Sequence, residues 1–316
     1  GCSGGGGGSG CGGSSGARSG SAGGGSGASG GGASSSGGGS ASGGGTPGSD
    51  KAGWILFQRQ VGTTHQLLVS FPDGGEQGLT SGVDALAGQW TGDGQGIVYV
   101  KRGSGGAADQ LWAMAADGSG AHLLVDVPKG YSVGRLSPDG TRVLLTGGMG
   151  STAPDLAALQ LDGGLTTILN STASEGSAAW SPDGTQLAYH RVSGGMFELW
   201  VANADGSGPH RIAGPLTDFF VAEPVWSNQG LIAFSVGDFE SDLYTVQPDG
   251  GSLLKRTTAA GGESHASWSA DGKALACYHY EPSVGAGGKY GVFVADLATG
   301  QLTMRADGGE RPEFHP

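Results

Sequence analysis

Short apolar runs of four to six residues alternate along most of the chain with turns rich in Gly, Asp, Pro and Ser. Gly96-Ile97-Val98-Tyr99-Val100, Arg142-Val143-Leu144-Leu145, Leu231-Ile232-Ala233-Phe234 and Ala274-Leu275-Ala276-Cys277-Tyr278 are continuous runs. Glu198-Leu199-Trp200-Val201-Ala202 and Asp242-Leu243-Tyr244-Thr245-Val246 alternate polar and apolar positions. Runs this short, bounded by turn residues and without a 3.6-residue period, predict β-strands throughout.

The turns recur in register. A Trp or Leu followed by a Ser/Thr-led turn appears at Trp90, Leu136, Trp180, Trp226 and Trp268, spaced 46, 44, 46 and 42 residues apart. The fullest copies read Trp180-Ser181-Pro182-Asp183-Gly184 and Trp268-Ser269-Ala270-Asp271-Gly272. A second turn lies between these anchors, at Asp73-Gly74, Asp117-Gly118, Asp162-Gly163, Asp205-Gly206, Asp249-Gly250 and Thr299-Gly300. Asp-Gly between apolar runs is a hairpin signal, because Gly accepts positive φ and Asp bonds its own backbone. A period in the low forties made of short strands predicts propeller blades of four strands each.

Six hairpin glycines stand against five complete anchors. The sixth anchor position falls at Phe314, 46 residues after Trp268, where the sequence ends. Trp54-Ile55-Leu56-Phe57 supplies a strand at the other end. The expected fold is therefore all-β: a six-bladed β-propeller over residues 53–316, its closing blade shared between the two chain ends. Closure removes two exposed sheet edges. A five-bladed ring with frayed ends is the competing arrangement.

Residues 1–52 are a different polymer, nearly all Gly, Ser and Ala. Such a segment has too little apolar surface to offset the entropy of ordering, and is expected to be a disordered tether. It begins Gly1-Cys2-Ser3. A Gly-Cys junction ahead of a long flexible spacer resembles the maturation site of bacterial lipoproteins. That resemblance implies a removed signal peptide, acylation of Cys2, and outer-membrane sorting favoured by Ser3. A disulfide between Cys2 and Cys11 is the alternative. Cys277 reads as a small buried hydrophobe, and three cysteines make no disulfide framework. No Cys/His spacing matches a zinc site, and no apolar run is long enough to span a membrane.

The net charge of −12 argues against a nucleic-acid partner, which needs clustered Lys and Arg. Candidate binding residues stand just before the anchors: Asp84, Glu175, Glu223, Glu263 and Glu310, with His265. Segments entering an inner strand line the top of a propeller channel, so these carboxylates are expected to form an acidic mouth for a basic peptide. Converging carboxylates could also hold a hard cation such as calcium; no other cofactor is implied. Solvated loop carboxylates at different heights are the plain alternative.

The run Ala179-Trp180-Ser181-Pro182-Asp183-Gly184-Thr185-Gln186-Leu187-Ala188-Tyr189, followed by Glu198 to Gly206, resembles the TolB-type WD-like β-propeller repeat. The resemblance implies a periplasm-facing or surface-exposed protein of the cell envelope. Where TolB proteins carry a separate N-terminal domain, a Gly/Ser tether is expected ahead of this propeller, so a Tol-system role is not carried over. No Gly-x-Ser-x-Gly elbow precedes a helix, and no catalytic residue is assigned. The expected function is a non-catalytic, lipid-tethered, monomeric platform for a protein or peptide partner. A propeller hydrolase or lyase, or a carbohydrate-binding protein, using the channel mouth is the alternative.

Overall fold

The computed structural model describes residues 51–147, 155–216, 221–237, 240–281 and 289–316. The Gly/Ser-rich segment through residue 50, with Cys2 and Cys11, lies outside the described residues. All regular structure among the described residues is β, in six four-stranded antiparallel sheets. Blade 1 joins the C-terminal strand to residues 55–78. Blades 2 to 6 follow in chain order over residues 85–126, 131–169, 174–216, 221–255 and 262–307.

Closure takes the form that the repeat count predicts. Gly309–Phe314 is the innermost strand of blade 1 and pairs antiparallel with Ile55–Val61, with Ile55 opposite Phe314, Leu56 opposite Glu313 and Gln58 opposite Glu310. No five-bladed ring with loose ends is left.

The anchor residues end the inner strands: Ala85–Trp90, Tyr131–Leu136, Ser174–Trp180, Val221–Trp226, Gly262–Trp268 and Gly309–Phe314. The Ser- or Thr-led turns after the anchors are braced by their own side chains. In blade 4 Ser181 Oγ donates to Asp183 Oδ1 at 2.6 Å and accepts from Gln186 N–H at 2.9 Å, while Gly184 takes φ 70°. The turn aspartates spend their lone pairs on their own loops, and these bonds hold Asp183 and Asp271 below the usual carboxylate range.

The core lies between blades. Each of the six apolar clusters draws on two adjacent sheets: Leu56 and Leu67 of blade 1 with Trp90 and Ile97 of blade 2, for example, or Leu144 and Leu156 of blade 3 with Trp180 and Tyr189 of blade 4. The last interface packs Ile55, Phe57 and Phe314 against Ala276, Val292 and Ala306 of blade 6. Two of the four anchor Trp residues also stitch neighbours by polar bonds. Trp90 Nε1–H donates to Glu313 O at 3.2 Å and Trp268 Nε1–H to Val225 O at 3.1 Å.

Candidate functional site

Every inner strand carries one extra residue relative to its partner strand, just before its anchor. Such a bulge turns side chains out of the ladder. In five blades the residue three before the anchor adopts a left-handed backbone: Ala87 (φ 48°), Ser177 (42°), Glu223 (52°), His265 (53°) and Arg311 (48°). Blade 3 places its bulge one position later, at Gly134-Arg135. A left-handed conformation costs a non-glycine residue on the order of 1 kcal/mol. This chain uses 69 glycines, yet none holds these five positions.

The bulges converge on the central channel, which encloses a cavity of about 310 Å³. Blades 2 and 4 line it mainly with small residues, Ala87, Gly88, Ser177 and Ala178, with Gln89 beside them. Blades 5, 6 and 1 line it with Glu223, His265, Arg311 and Glu313. Arg135 of blade 3 donates to the Glu313 carboxylate and, at 3.2 Å, to Ala266 O of blade 6. Blade 6 is opposite blade 3 in the ring, so this guanidinium reaches across the lumen.

On the charged wall His265 is bonded at both ring nitrogens, Nε2 to Glu223 Oε1 at 3.1 Å and Nδ1 to Ser264 Oγ at 3.0 Å. Burial in the channel opposes the charge on Glu223. The bond to His265 and the charges of His265, Arg311 and Arg135 outweigh it and bring the carboxyl down to about 2. The sign follows by linkage: the folded value lies below the unfolded one, near 4.3, so the stabilisation is whole above that pH and is lost as pH falls towards about 2. Glu223→Gln should therefore cost roughly 2 kcal/mol at pH 5 and little near pH 2.5. Urea unfolding of both proteins at the two pH values checks this, and an equal difference at both would refute it.

Of the six residues expected at an acidic mouth, the channel receives only Glu223 and His265. Of the other four, Glu175, Glu263 and Glu310 sit farther up the inner strands, each opposite a cross-strand neighbour, and Asp84 stands just before Ala85–Trp90. Glu175 lies opposite Arg191, with an ion pair of 3.4 Å, and accepts from Ser171 Oγ–H at 2.6 Å. Burial first, and the charge of Asp155 with it, pushes the Glu175 carboxyl up, although its contacts to Ser171 and Arg191 oppose the shift. Glu263 lies opposite His279 and is bonded to its Nδ1 at 2.7 Å, with both side chains buried. Glu310 lies opposite Gln58, whose Nε2–H donates to it at 3.3 Å. Asp84 accepts from the His65 backbone N–H at 2.7 Å, contacts His65 Nδ1 at 3.0 Å and pairs with Arg102 at 3.4 Å.

The expected acidic mouth is thus replaced by a charge-balanced wall. Glu223 and Glu313 are matched by Arg311 and Arg135, and among the described residues no three His, Cys, Asp or Glu side chains come together to hold a metal ion. Arg135, Arg311, Glu313 and Gln89 are channel residues that the sequence reading passed over. A constant offset from the anchors, three or one residue before, would have found all four.

The model of the TolB beta propeller domain family matches residues 62–230, more than half of the chain. Among curated proteins, a TolB homolog from Chlorobium luteolum is 31% identical over 150 residues, covering 46% of this chain and 32% of that protein. The chain spans about a third of the length of the curated relatives it matches. Among solved structures, TolB from Acinetobacter baumannii superposes with a TM-score of 0.67 at 19% identity, covering 84% of this chain and 67% of that one. An oligogalacturonate lyase from Vibrio parahaemolyticus gives a TM-score of 0.54 at 14% identity, covering 80% of this chain and 74% of that one. At these identities the structural likeness concerns the fold.

Proposed function

The chain belongs to the TolB β-propeller domain family, and from that premise we propose that it is a non-catalytic binding platform of the bacterial cell envelope, with the central channel receiving a protein or peptide segment. The observation that carries this reading is the set of left-handed, non-glycine residues that present Glu223, His265 and Arg311 to the lumen. Backbone strain kept where glycine would relieve it is the mark of a functional surface. A relative from Francisella tularensis is named a Tol-Pal system protein, which supports an envelope setting and a protein as partner. Acylation of Cys2 would hold the propeller at the outer membrane on a long spacer, and several acyl chains suffice for stable anchoring. The monomer belongs to the same proposal.

The test is capture of envelope proteins by immobilised chain, with Glu223→Gln/His265→Gln as the channel variant and Lys273→Gln, on an exposed turn, as the control. Capture lost only in the channel variant is expected; undiminished capture would sink the proposal. The mass of the N-terminal peptide from envelope material decides the anchor, since an unmodified Cys2 would remove it.

One observation favours a propeller enzyme: His265 and Glu223 form a base–carboxylate pair inside a cavity. The one hydroxyl His265 engages, Ser264 Oγ at Nδ1, does not line that cavity, and Nε2 is taken by Glu223, so no base and nucleophile meet where a substrate would sit. A general base must reach the proton it removes. The platform is therefore the better reading.

A further inference from the structure

The channel's charges are not equally occupied. Arg135 is held by Glu313 and Ala266 O, and Glu223 by His265, which also meets Ser264. Arg311 differs. Its nearest carboxylate oxygen, Glu223 Oε1, lies at 3.8 Å, beyond hydrogen-bond reach, and its side chain is 46% exposed. Among the described residues its guanidinium makes no hydrogen bond. The backbone beneath it is held at φ 48°.

A guanidinium offers five donors in a planar fork that matches a carboxylate two-to-two. A basic ligand, by contrast, would need a free carboxylate, and both channel carboxylates are committed to Arg or His partners. The small residues Ala87, Ser177 and Ala178 leave the facing wall open, while Pro224 and Pro312 give stiff apolar flanks. A cavity of about 310 Å³ takes one side chain or one chain end and excludes a folded domain.

We propose that the channel is a carboxylate receptor in which Arg311 grips an acidic group of the bound peptide. This rests on the reading of the channel as a peptide site. It reverses the charge preference that the sequence suggested. Two sources carry the group: a free C-terminus, or a Glu or Asp side chain within a segment.

The experiment is calorimetric titration of the full chain with four acetylated tripeptides. They are trialanine with a free C-terminus, its C-terminal amide, and two amides with a central glutamate or a central lysine. Binding by one or both carboxylate carriers, and not by the neutral or lysine peptide, is expected, and the better of the two acids identifies the source. Arg311→Gln should weaken that binding at least about tenfold, and Arg311→Lys less, since a charged hydrogen bond is lost in the first and a charge is kept in the second. Circular dichroism confirms that both variants remain folded. Equal binding of the lysine or neutral peptide, or acid binding indifferent to Arg311→Gln, overturns the carboxylate assignment and leaves the platform standing. No binding by any of the four overturns the channel as a peptide site, and this inference with it.

Discussion

Deleting residues 309–316 should abolish the cooperative unfolding of this protein. The segment is the innermost strand of blade 1, and it touches three further sheets at once. It pairs with Ile55–Val61 and seats Phe314 among Phe57, Ala276 and Val292. It also accepts the Trp90 indole N–H at Glu313 O and the Arg135 guanidinium at the Glu313 carboxylate. His315 adds a backbone bond to Trp54 O at 2.9 Å and an edge contact with the Trp90 ring at 4.8 Å. Burying a Phe is worth about 3 kcal/mol, each net hydrogen bond about 1, and an unpaired buried donor costs more still. Together these approach the 5–15 kcal/mol that separates folded from unfolded domains. The deletion also bares the inner edge of blade 1, a template for aggregation. Phe314→Ala is the graded companion: about 3–5 kcal/mol less stable but still folded. Thermal unfolding by circular dichroism and size-exclusion chromatography give the readout. A truncated chain that melts as the intact one does would show that the ring does not depend on its shared blade.

Closure was legible because anchors and hairpins repeat in every blade, so a missing copy shows as a gap that Phe314 fills in register. The site was legible only in part. Residues three to six before the anchor look alike in sequence, but the strand ladder separates them. Glu175, Glu263 and Glu310, four or five residues before, face Arg191, His279 and Gln58 across the ladder and are used up there. Glu223 and His265, three before, fall on the bulge and swing into the channel. A bulge is usually betrayed by a glycine, and here Ala, Ser, Glu, His and Arg hold the left-handed position instead. Arg135 stands one residue before its anchor, an offset that marks it, but its partners lie across the ring on blades 1 and 6, and no repeat spacing encodes a diameter.

Glu263→Ala should be the most damaging single substitution outside the apolar core, at about 3–5 kcal/mol. The side chain is fully buried. One carboxylate oxygen meets His279 Nδ1 at 2.7 Å, and the other accepts from Thr257 Oγ1–H at 2.7 Å. Its backbone is tied as well, since the N–H donates to Ser241 O and the carbonyl accepts from Ser241 Oγ–H, both at 2.8 Å. Ser241 adjoins a blade 5 strand, Thr257 follows the last strand of blade 5 and accepts from Leu243 N–H at 2.9 Å, and His279 belongs to blade 6, so one carboxylate joins two blades by polar contacts where their neighbours use apolar packing. Alanine would strand the His279 ring and the Thr257 hydroxyl in a dry interface and open a void the size of the lost carboxylate. Glu263→Gln preserves the shape and an acceptor for one partner, so its cost should fall to about 1–2 kcal/mol. The ordering Ala worse than Gln distinguishes a bridge from mere space-filling. Urea unfolding of both variants at pH 7 measures it. Equal losses would mean that the carboxylate fills a hole and the bonds to His279 and Thr257 add nothing.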